Sequence, residues 1–364
     1  MDVNDLLRYA VEVGASDLHL KAGNVPFVRV DGELQPAPFA ALSPSDSAAH
    51  ALALMPEHKR HEFETTNEAD FGYTLGGVGR FRVNVFRQRG MIGLAIRRVR
   101  SDVPSIEELS LPPVVADLVD AQRGLVLVTG PTGTGKTTTI AAMIGHINST
   151  RRAHIVTIED PIEVVHDDDR SIVQQREIGL DTDSYASALK YVIRQDPDVV
   201  FVGEIRDPES AMSAIQAAET GHLVISTLHT IDCTETINRI LDLFPPQQQR
   251  EVRTSLAGAL RGIVSQRLLP RADGKGRIPA VEILVATGRV FDRIVDPDAT
   301  FDLIDVIADG GYYGMQTFDQ CLVNLVREGL VTEDDARRAA TSPHDFNLAL
   351  RGVLTRGGVP AVSG

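Results

Sequence analysis

A chain of 364 residues has room for two domains, each with its own apolar core, and 43% hydrophobic with 24% charged residues is the balance of a soluble globular protein. The net charge of −14 speaks against a surface built for nucleic acid backbones, so no nucleic acid partner is expected. Only two cysteines, Cys233 and Cys321, leave neither a disulfide framework nor a four-cysteine zinc site. No apolar run approaches the ~18 residues of a membrane span, and the acidic start "MDVNDLL" is unlike a signal peptide.

Residues 2–13 have helical spacing, with Val3, Leu6, Leu7, Ala10 and Val11 on one side. "SDLHLKAG" and "PFVRVDGELQ" read as short strands, the second ending in an Asp31-Gly32 turn. "SPSDSAAHALALM" predicts a helix from near Ser45. From Arg80 to Arg100 there are seven arginines (80, 82, 87, 89, 97, 98 and 100) and no acid. This stretch alternates on both sides of Gly90, as a hairpin does, with Arg80 and Arg82 on one face and Arg98 and Arg100 likewise sharing a face. Residues 1–99 therefore predict a small α+β domain.

"RSDVPSIEELSLPP", residues 100–113, carries three prolines and reads as a linker. Over 114–285 short apolar runs (Leu125–Val128, Ile155–Ile158, Val199–Val202, Leu223–Ser226) alternate with helical stretches, the pattern of an α/β fold with a parallel sheet. Residues 286–364 predict a helical region ending in a disordered tail, "TRGGVPAVSG".

"VTGPTGTGKTTT", Val128–Thr139, fits the phosphate-binding loop pattern between a strand and a helix. Gly130, Gly133 and Gly135 let the Gly130–Thr138 backbone, with Pro131, Thr132 and Thr134 in the loop, wrap around phosphate oxygens at a helix start, the N–H groups of its non-proline residues donating. Lys136 is placed to reach the β/γ-phosphates, and Thr137 to ligate Mg²⁺ with Thr138 beside it. ATP with Mg²⁺ is the expected ligand; a Gly-rich turn without a ligand is the bland alternative.

"TIEDPIE" sets Glu159, Asp160 and Glu163 after an apolar strand, where carboxylates can hold or polarise metal-bound water; a solvated acidic loop is the alternative. In "DPDVVFVGEIRD", Gly203 stands where P-loop enzymes commonly carry aspartate, and Glu204 follows. The acid is shifted by one residue, which turns it to the other face of the strand. Glu204 is the candidate water-activating group, with an ion pair to Arg206 as the structural alternative. His222 and His229 bracket the apolar run in "GHLVISTLHT" and are candidates to sense the γ-phosphate. Arg80, Arg82 and Arg97 in the hairpin, and Arg277 in "DGKGRIPAVEIL", are candidates to meet nucleotide charge, against the alternative of a solvated face.

In this order "GASDLHLKAG", "FRVNVFRQRG", "GPTGTGKTTT", "TIEDPIE", "RQDPDVVFVGEIRD", "AAETGHLVISTLHT", "INRILDLFP" and "GMQTFDQCL" resemble the secretion ATPase superfamily of type II secretion and type IV pili, over residues 14 to about 322. Within it the likeness is to the pilus retraction ATPases. The resemblance implies a PAS-like N-terminal domain, a RecA-like P-loop domain and a homohexameric ring. It also implies ATP held between domains, and work on a platform protein of the inner membrane from its cytoplasmic face. On the matching positions it implies an Asp box at Glu159, Asp160 and Glu163, a catalytic glutamate at Glu204 and a His box at His222 and His229. Assembly members usually carry a four-cysteine zinc module after the His box, and no cysteine lies between 234 and 320 here. Retraction members carry a motif ahead of "GMQT" that reads "GRVFDRIVDPDAT" here, with Arg293 and Ile294 in common. An assembly or secretion ATPase, and a non-hydrolysing nucleotide-binding regulator, are the other readings.

Overall fold

The computed structural model describes residues 2–99 and 101–352. The side chain of Arg100 and the tail predicted to be disordered lie outside the described residues. The chain divides into two compact units, Met1–Asp102 with Pro161–Val165, and Val103–Asp160 with His166–Gly364.

The first unit begins with α1 (Val3–Glu12), whose first turn is capped by the Asp2 side chain and which buries Val3, Leu6, Leu7 and Ala10. Strands β1 (Asp17–Lys21), β2 (Phe27–Val30) and β3 (Glu33–Pro36) follow, then α2 (Pro44–Leu54), α3 (Glu57–Thr66), β4 (Glu68–Leu75), β5 (Gly79–Gln88) and β6 (Met91–Arg98). All six strands pair antiparallel in the order β3-β2-β1-β6-β5-β4. Two of its hairpins turn through two residues with positive φ, Asp31-Gly32 and Arg89-Gly90, the geometry whose twist matches that of the flanking strands. One face of this sheet is apolar: Leu18, Leu20, Val83, Val85, Leu94 and Ile96 are buried with Leu6, Leu7, Leu54 and Phe63 of the helices.

The second unit contains α4 (Val114–Asp120), β7 (Gly124–Thr129), α5 (Lys136–Thr150), β8 (His154–Glu159), β9 (Ile172–Glu177), α6 (Tyr185–Val192), β10 (Val199–Val202), α7 (Pro208–Glu219) and β11 (Leu223–Leu228). It continues through α8 (Cys233–Asp242), α9 (Pro246–Ala259), β12 (Leu260–Pro270) and β13 (Arg277–Val285) to five helices, α10 (Gly288–Val295), α11 (Leu303–Asp309), α12 (Phe318–Arg327), α13 (Glu333–Ala339) and α14 (Pro343–Leu350). The sheet is mixed, in the order β13-β12-β7-β11-β10-β8-β9, with β13 antiparallel to its neighbour and the other pairings parallel. Strands β7, β10 and β11 are buried at every residue because helices cover both faces. Period-two alternation still sorts their side chains: Leu125, Leu127, Val200 and Val202 face one core, Val126, Val128, Val199 and Phe201 the other.

The C-terminal helices are part of this unit: Val290, Ile294, Leu303 and Ile307 enter the first of these cores, Leu322, Val323 and Phe346 the second. The stretch that reads as a linker is partly core as well. Ile106 and Leu111 are buried in the second of these cores, and a Cβ on Gly145 would meet Val103 Cγ1 at 3.2 Å.

Candidate functional site

Strand β7 leads to β8 through α5, yet β8 lies three places away in the sheet, with β11 and β10 between. The connections on the two sides of β7 thus diverge, and such a switch point opens a crevice at the carboxyl ends of the strands. The Gly130–Gly135 loop sits there. Gly130 has φ +145°, and a Cβ on it would lie 2.5 Å from the backbone oxygen of Gln266. A Cβ on Gly135, with φ +91°, would lie 2.9 Å from the Gln266 side chain. At Gly130 a side chain is excluded by close approach to backbone as well as by conformation, and at Gly135 it is disfavoured by conformation and crowded by Gln266.

Polar contacts fix the loop. Thr134 Oγ1 donates to the Pro131 carbonyl at 2.9 Å, and Lys136 Nζ donates to the carbonyls of Gly130 at 2.6 Å and Pro131 at 3.1 Å. Thr132 and Gly133 are exposed at its tip, Thr137 is exposed on the first turn of α5, and Thr138 is half-buried. Gln266, buried on β12, was not evident from the sequence. Its Nε2 donates to the Thr134 carbonyl at 2.7 Å and its Oε1 accepts from Thr139 Oγ1 at 2.8 Å, tying loop to helix. One strand position away Thr129 and Ser265 share a hydrogen bond of 2.8 Å. The polar run Ser265-Gln266-Arg267 inside the apolar "GIVSQRLL" is the signal that could have pointed to this brace.

Glu204 follows the end of β10, and its side chain is 13% exposed. It forms an ion pair with Arg206, the structural alternative noted from the sequence, and His229 Nε2 lies 3.7 Å from its other oxygen. Gly203 has a steric reason: a Cβ there would stand 2.7 Å from Tyr185 Oη and 3.2 Å from the Ile158 carbonyl. Tyr185 is a second residue that sequence reasoning missed. Burial, then the charges of Glu204, Asp160 and Glu159, push its phenol well above the ordinary range. Glu159 is buried and accepts from Thr157 Oγ1 at 2.6 Å and Gln175 Nε2 at 3.0 Å, whereas Asp160 is exposed.

Not every candidate comes to this end of the sheet. His222 precedes β11 at its amino end, where its carbonyl accepts from Gly124 N–H and its Nδ1 meets the Ala217 carbonyl at 3.0 Å. The six residues of β11 place it roughly 20 Å from His229. Of the two histidines that bracket the strand, His229 lies by Glu204 and His222 lies at the opposite end. Arg277 opens β13, opposite Pro270, and is exposed. Glu163 is exposed in the segment grouped with the first unit.

Within the first unit, Arg29, Asp17, Arg97 and Arg82 lie in register across four adjacent strands. Arg97 Nε donates to Asp17 at 2.9 Å and Arg82 Nε to Asp70 at 3.1 Å, while Arg80 donates to Thr74 at 3.0 Å. The arginine face is thus partly neutralised by acids from β1 and β4 that the run of arginines did not reveal.

A family model described as "Type II/IV secretion system protein" matches residues 2–299. The chain belongs to this family. It is 42% identical to the type IV pilus retraction ATPase PilT of Pseudomonas aeruginosa, over 95% of this chain and 100% of that protein. It is 44% identical to a twitching motility protein of Neisseria gonorrhoeae, over 89% and 86%. A crystal structure of the pilus retraction motor PilT with bound ADP superposes with a TM-score of 0.85 at 45% identity, covering 95% of this chain and 98% of the other. The α/β fold with its sheets is that of these ATPases. Among the described residues, no helix is long and apolar enough to cross a membrane.

Proposed function

We propose that this protein is a motor that hydrolyses Mg-ATP to retract a type IV pilus and so powers twitching motility. The end-to-end match to a retraction ATPase carries the reading, together with the braced Gly130–Gly135 loop at the switch point. In this reading the first unit is a PAS-like domain and the second a RecA-like ATPase core with its helical C-terminal region. The protein works as a cytoplasmic homohexamer at the inner face of the membrane, against a platform protein.

The Gly130–Thr138 amides and the start of α5 hold the phosphates, and Lys136 exchanges its loop carbonyls for β/γ oxygens. Glu204 orients the attacking water once the nucleotide competes for Arg206, and His229 reports on the γ-phosphate. Arg80, Arg82 and Arg97 of the first unit, and Arg277, meet nucleotide charge as the ring assembles, and Glu163 acts with the other acids of its box. Motion comes from the units closing on ATP and parting after product release, about the few residues before Val103.

The donor set suits a cation that arrives with the nucleotide. No group of three His, Cys, Asp or Glu among the described residues could hold a metal alone. Mg²⁺ keeps several waters and takes one or two protein oxygens with phosphate oxygens. The exposed Thr137 hydroxyl would supply one of them, with Glu159, Asp160, Glu163 and Glu204 as candidates facing its waters. Bound there, the ion would neutralise phosphate charge.

The test is Glu204→Gln. The variant should bind ADP like the parent and release phosphate 10²–10⁴-fold more slowly, as loss of a general base does. Host cells carrying only that form should be over-piliated, as should cells lacking the protein. Unchanged turnover would remove Glu204 from the reaction, and bald cells would point to pilus assembly.

A further inference from the structure

In most P-loop enzymes the end of the second acidic strand carries an aspartate. Here that place has Gly203, and the volume beside it is taken. The Tyr185 hydroxyl would be 2.7 Å from any Cβ at 203, so an aspartate at 203 and a tyrosine at 185 exclude one another.

The ring is not free to leave. Tyr185 is the first residue of α6, whose start is fixed by Ser184 accepting the Ser187 N–H, and it packs against the core shared by α6, α7 and β10. Its hydroxyl makes no hydrogen bond among the described residues. The charges around it are the carboxylates of Glu204, Asp160 and Glu159 and the guanidinium of Arg206. A neutral hydroxyl can donate to a carboxylate there, since a phenol keeps its proton at physiological pH.

We propose that Tyr185 is a positioning residue of this site, its hydroxyl donating a hydrogen bond that orients the Glu204 carboxylate in place of the missing aspartate. The inference rests on the reading of Glu204 as the group that activates water. Arg206 alone cannot do this work throughout a cycle: its side chain is 66% exposed, and phosphate oxygens compete for its guanidinium. Tyr185 cannot be drawn away in that manner, because it carries no charge and is anchored in α6. It fixes the carboxylate at the moment when the ion pair opens.

The experiment compares Tyr185→Phe, which keeps the ring and removes only the hydroxyl, with Glu204→Gln and the double variant. Steady-state phosphate release, ADP titration and thermal unfolding are read on the full chain. Tyr185→Phe should lower kcat roughly ten-fold or more, the effect of losing one hydrogen bond to a charged group, with KM, ADP affinity and melting midpoint unchanged. Added to Glu204→Gln it should cost nothing further, because it acts through that carboxylate. Wild-type kcat in Tyr185→Phe beside a slow Glu204→Gln would overturn this proposal alone. The same holds for a second ten-fold loss in the double variant. Wild-type turnover in Glu204→Gln would overturn the reading of Glu204, and this proposal with it.

Discussion

Replacing Gln266 by methionine tests whether the phosphate-binding loop is held by its own backbone or by the neighbouring strand. Methionine has nearly the volume and shape of glutamine, so the buried position stays filled while both hydrogen bonds are lost. One, to the Thr134 carbonyl, is 2.7 Å long, and the other, from Thr139 Oγ1, is 2.8 Å. Thr139 is only 1% exposed, so its hydroxyl would find no water in exchange. A net bond contributes about 0.5–1.5 kcal/mol and a stranded buried group costs about 1–3, which together give about 2–4 kcal/mol for the variant. At about 2–4 °C per kcal/mol for a unit of this size, the melting midpoint should fall by about 4–16 °C. The loop must also be re-ordered by the ligand, so ADP should bind roughly ten-fold more weakly, equivalent to about 1.4 kcal/mol. Thermal unfolding without nucleotide and a fluorescent ADP titration measure the two effects separately. Thr139→Val, which removes one of the two bonds, should give the smaller part of the loss. A Gln266→Met protein with wild-type melting and wild-type ADP affinity would refute the brace.

Gly130→Ala combines a positive φ with a Cβ 2.5 Å from backbone, which cannot step aside as a side-chain end can; ADP binding should be abolished and stability should fall by at least about 2 kcal/mol, read by the same titration and melt. His166 titrates at about 4, held down by burial against the weaker opposing pull of Asp167. The folded state therefore binds its proton less readily than the unfolded chain, and the stability this gives is complete above about pH 6.5 and is lost as the pH falls toward 4. Between pH 7 and pH 5 the parent should lose about 2 kcal/mol more than His166→Gln in urea unfolding, and equal losses would contradict the assignment.

The loop was legible because its constraints are written in residue types: only glycine tolerates φ +145° against the backbone of β12. The two-residue turns at Asp31-Gly32 and Arg89-Gly90 were legible for the same reason. What escaped were elements whose polar residues face inward. Strand β12 carries Ser265 and Gln266, and β13 carries Glu282, all buried, so hydropathy breaks the strand where the fold does not. Each is satisfied by a partner distant in sequence: Thr129 for Ser265, Thr139 for Gln266 and the Cys233 N–H for Glu282 at 2.9 Å. No local pattern reports such a partner. Strand β9, "IVQQRE", is an edge with mixed exposure, and lacked the apolar run that marked its neighbours. The histidines bracket one strand of six residues, and that length alone sets them at its opposite ends; which of them stands by Glu204 depends on the strand order, which no local pattern reports.

The order of the strands sets the order of the site. Across the carboxyl edge, β12, β7, β11, β10 and β8 present in turn Gln266, the Gly130–Lys136 loop, His229, Glu204 and the Glu159–Asp160 pair. Neighbouring strands are about 4.8 Å apart, so the loop and Glu204, two steps apart, are separated laterally by roughly 10 Å with His229 between them. That span suits a phosphate chain whose β end lies in the loop and whose γ end faces the carboxylate. The arrangement depends on the register of β10 against β11, because a slip of one residue would bring Gly203 to the place of Glu204. Two hydroxyls of β11 prevent the slip. Ser226 Oγ donates to the Val202 carbonyl at 2.7 Å, and Thr227 Oγ1 donates to the Gly203 carbonyl at 2.6 Å. Both serve carbonyls beside the end of β10, where the regular ladder is about to stop. The residues that fix the backbone register beneath Glu204 therefore lie on the neighbouring strand, in a run that reads from its sequence as plain core.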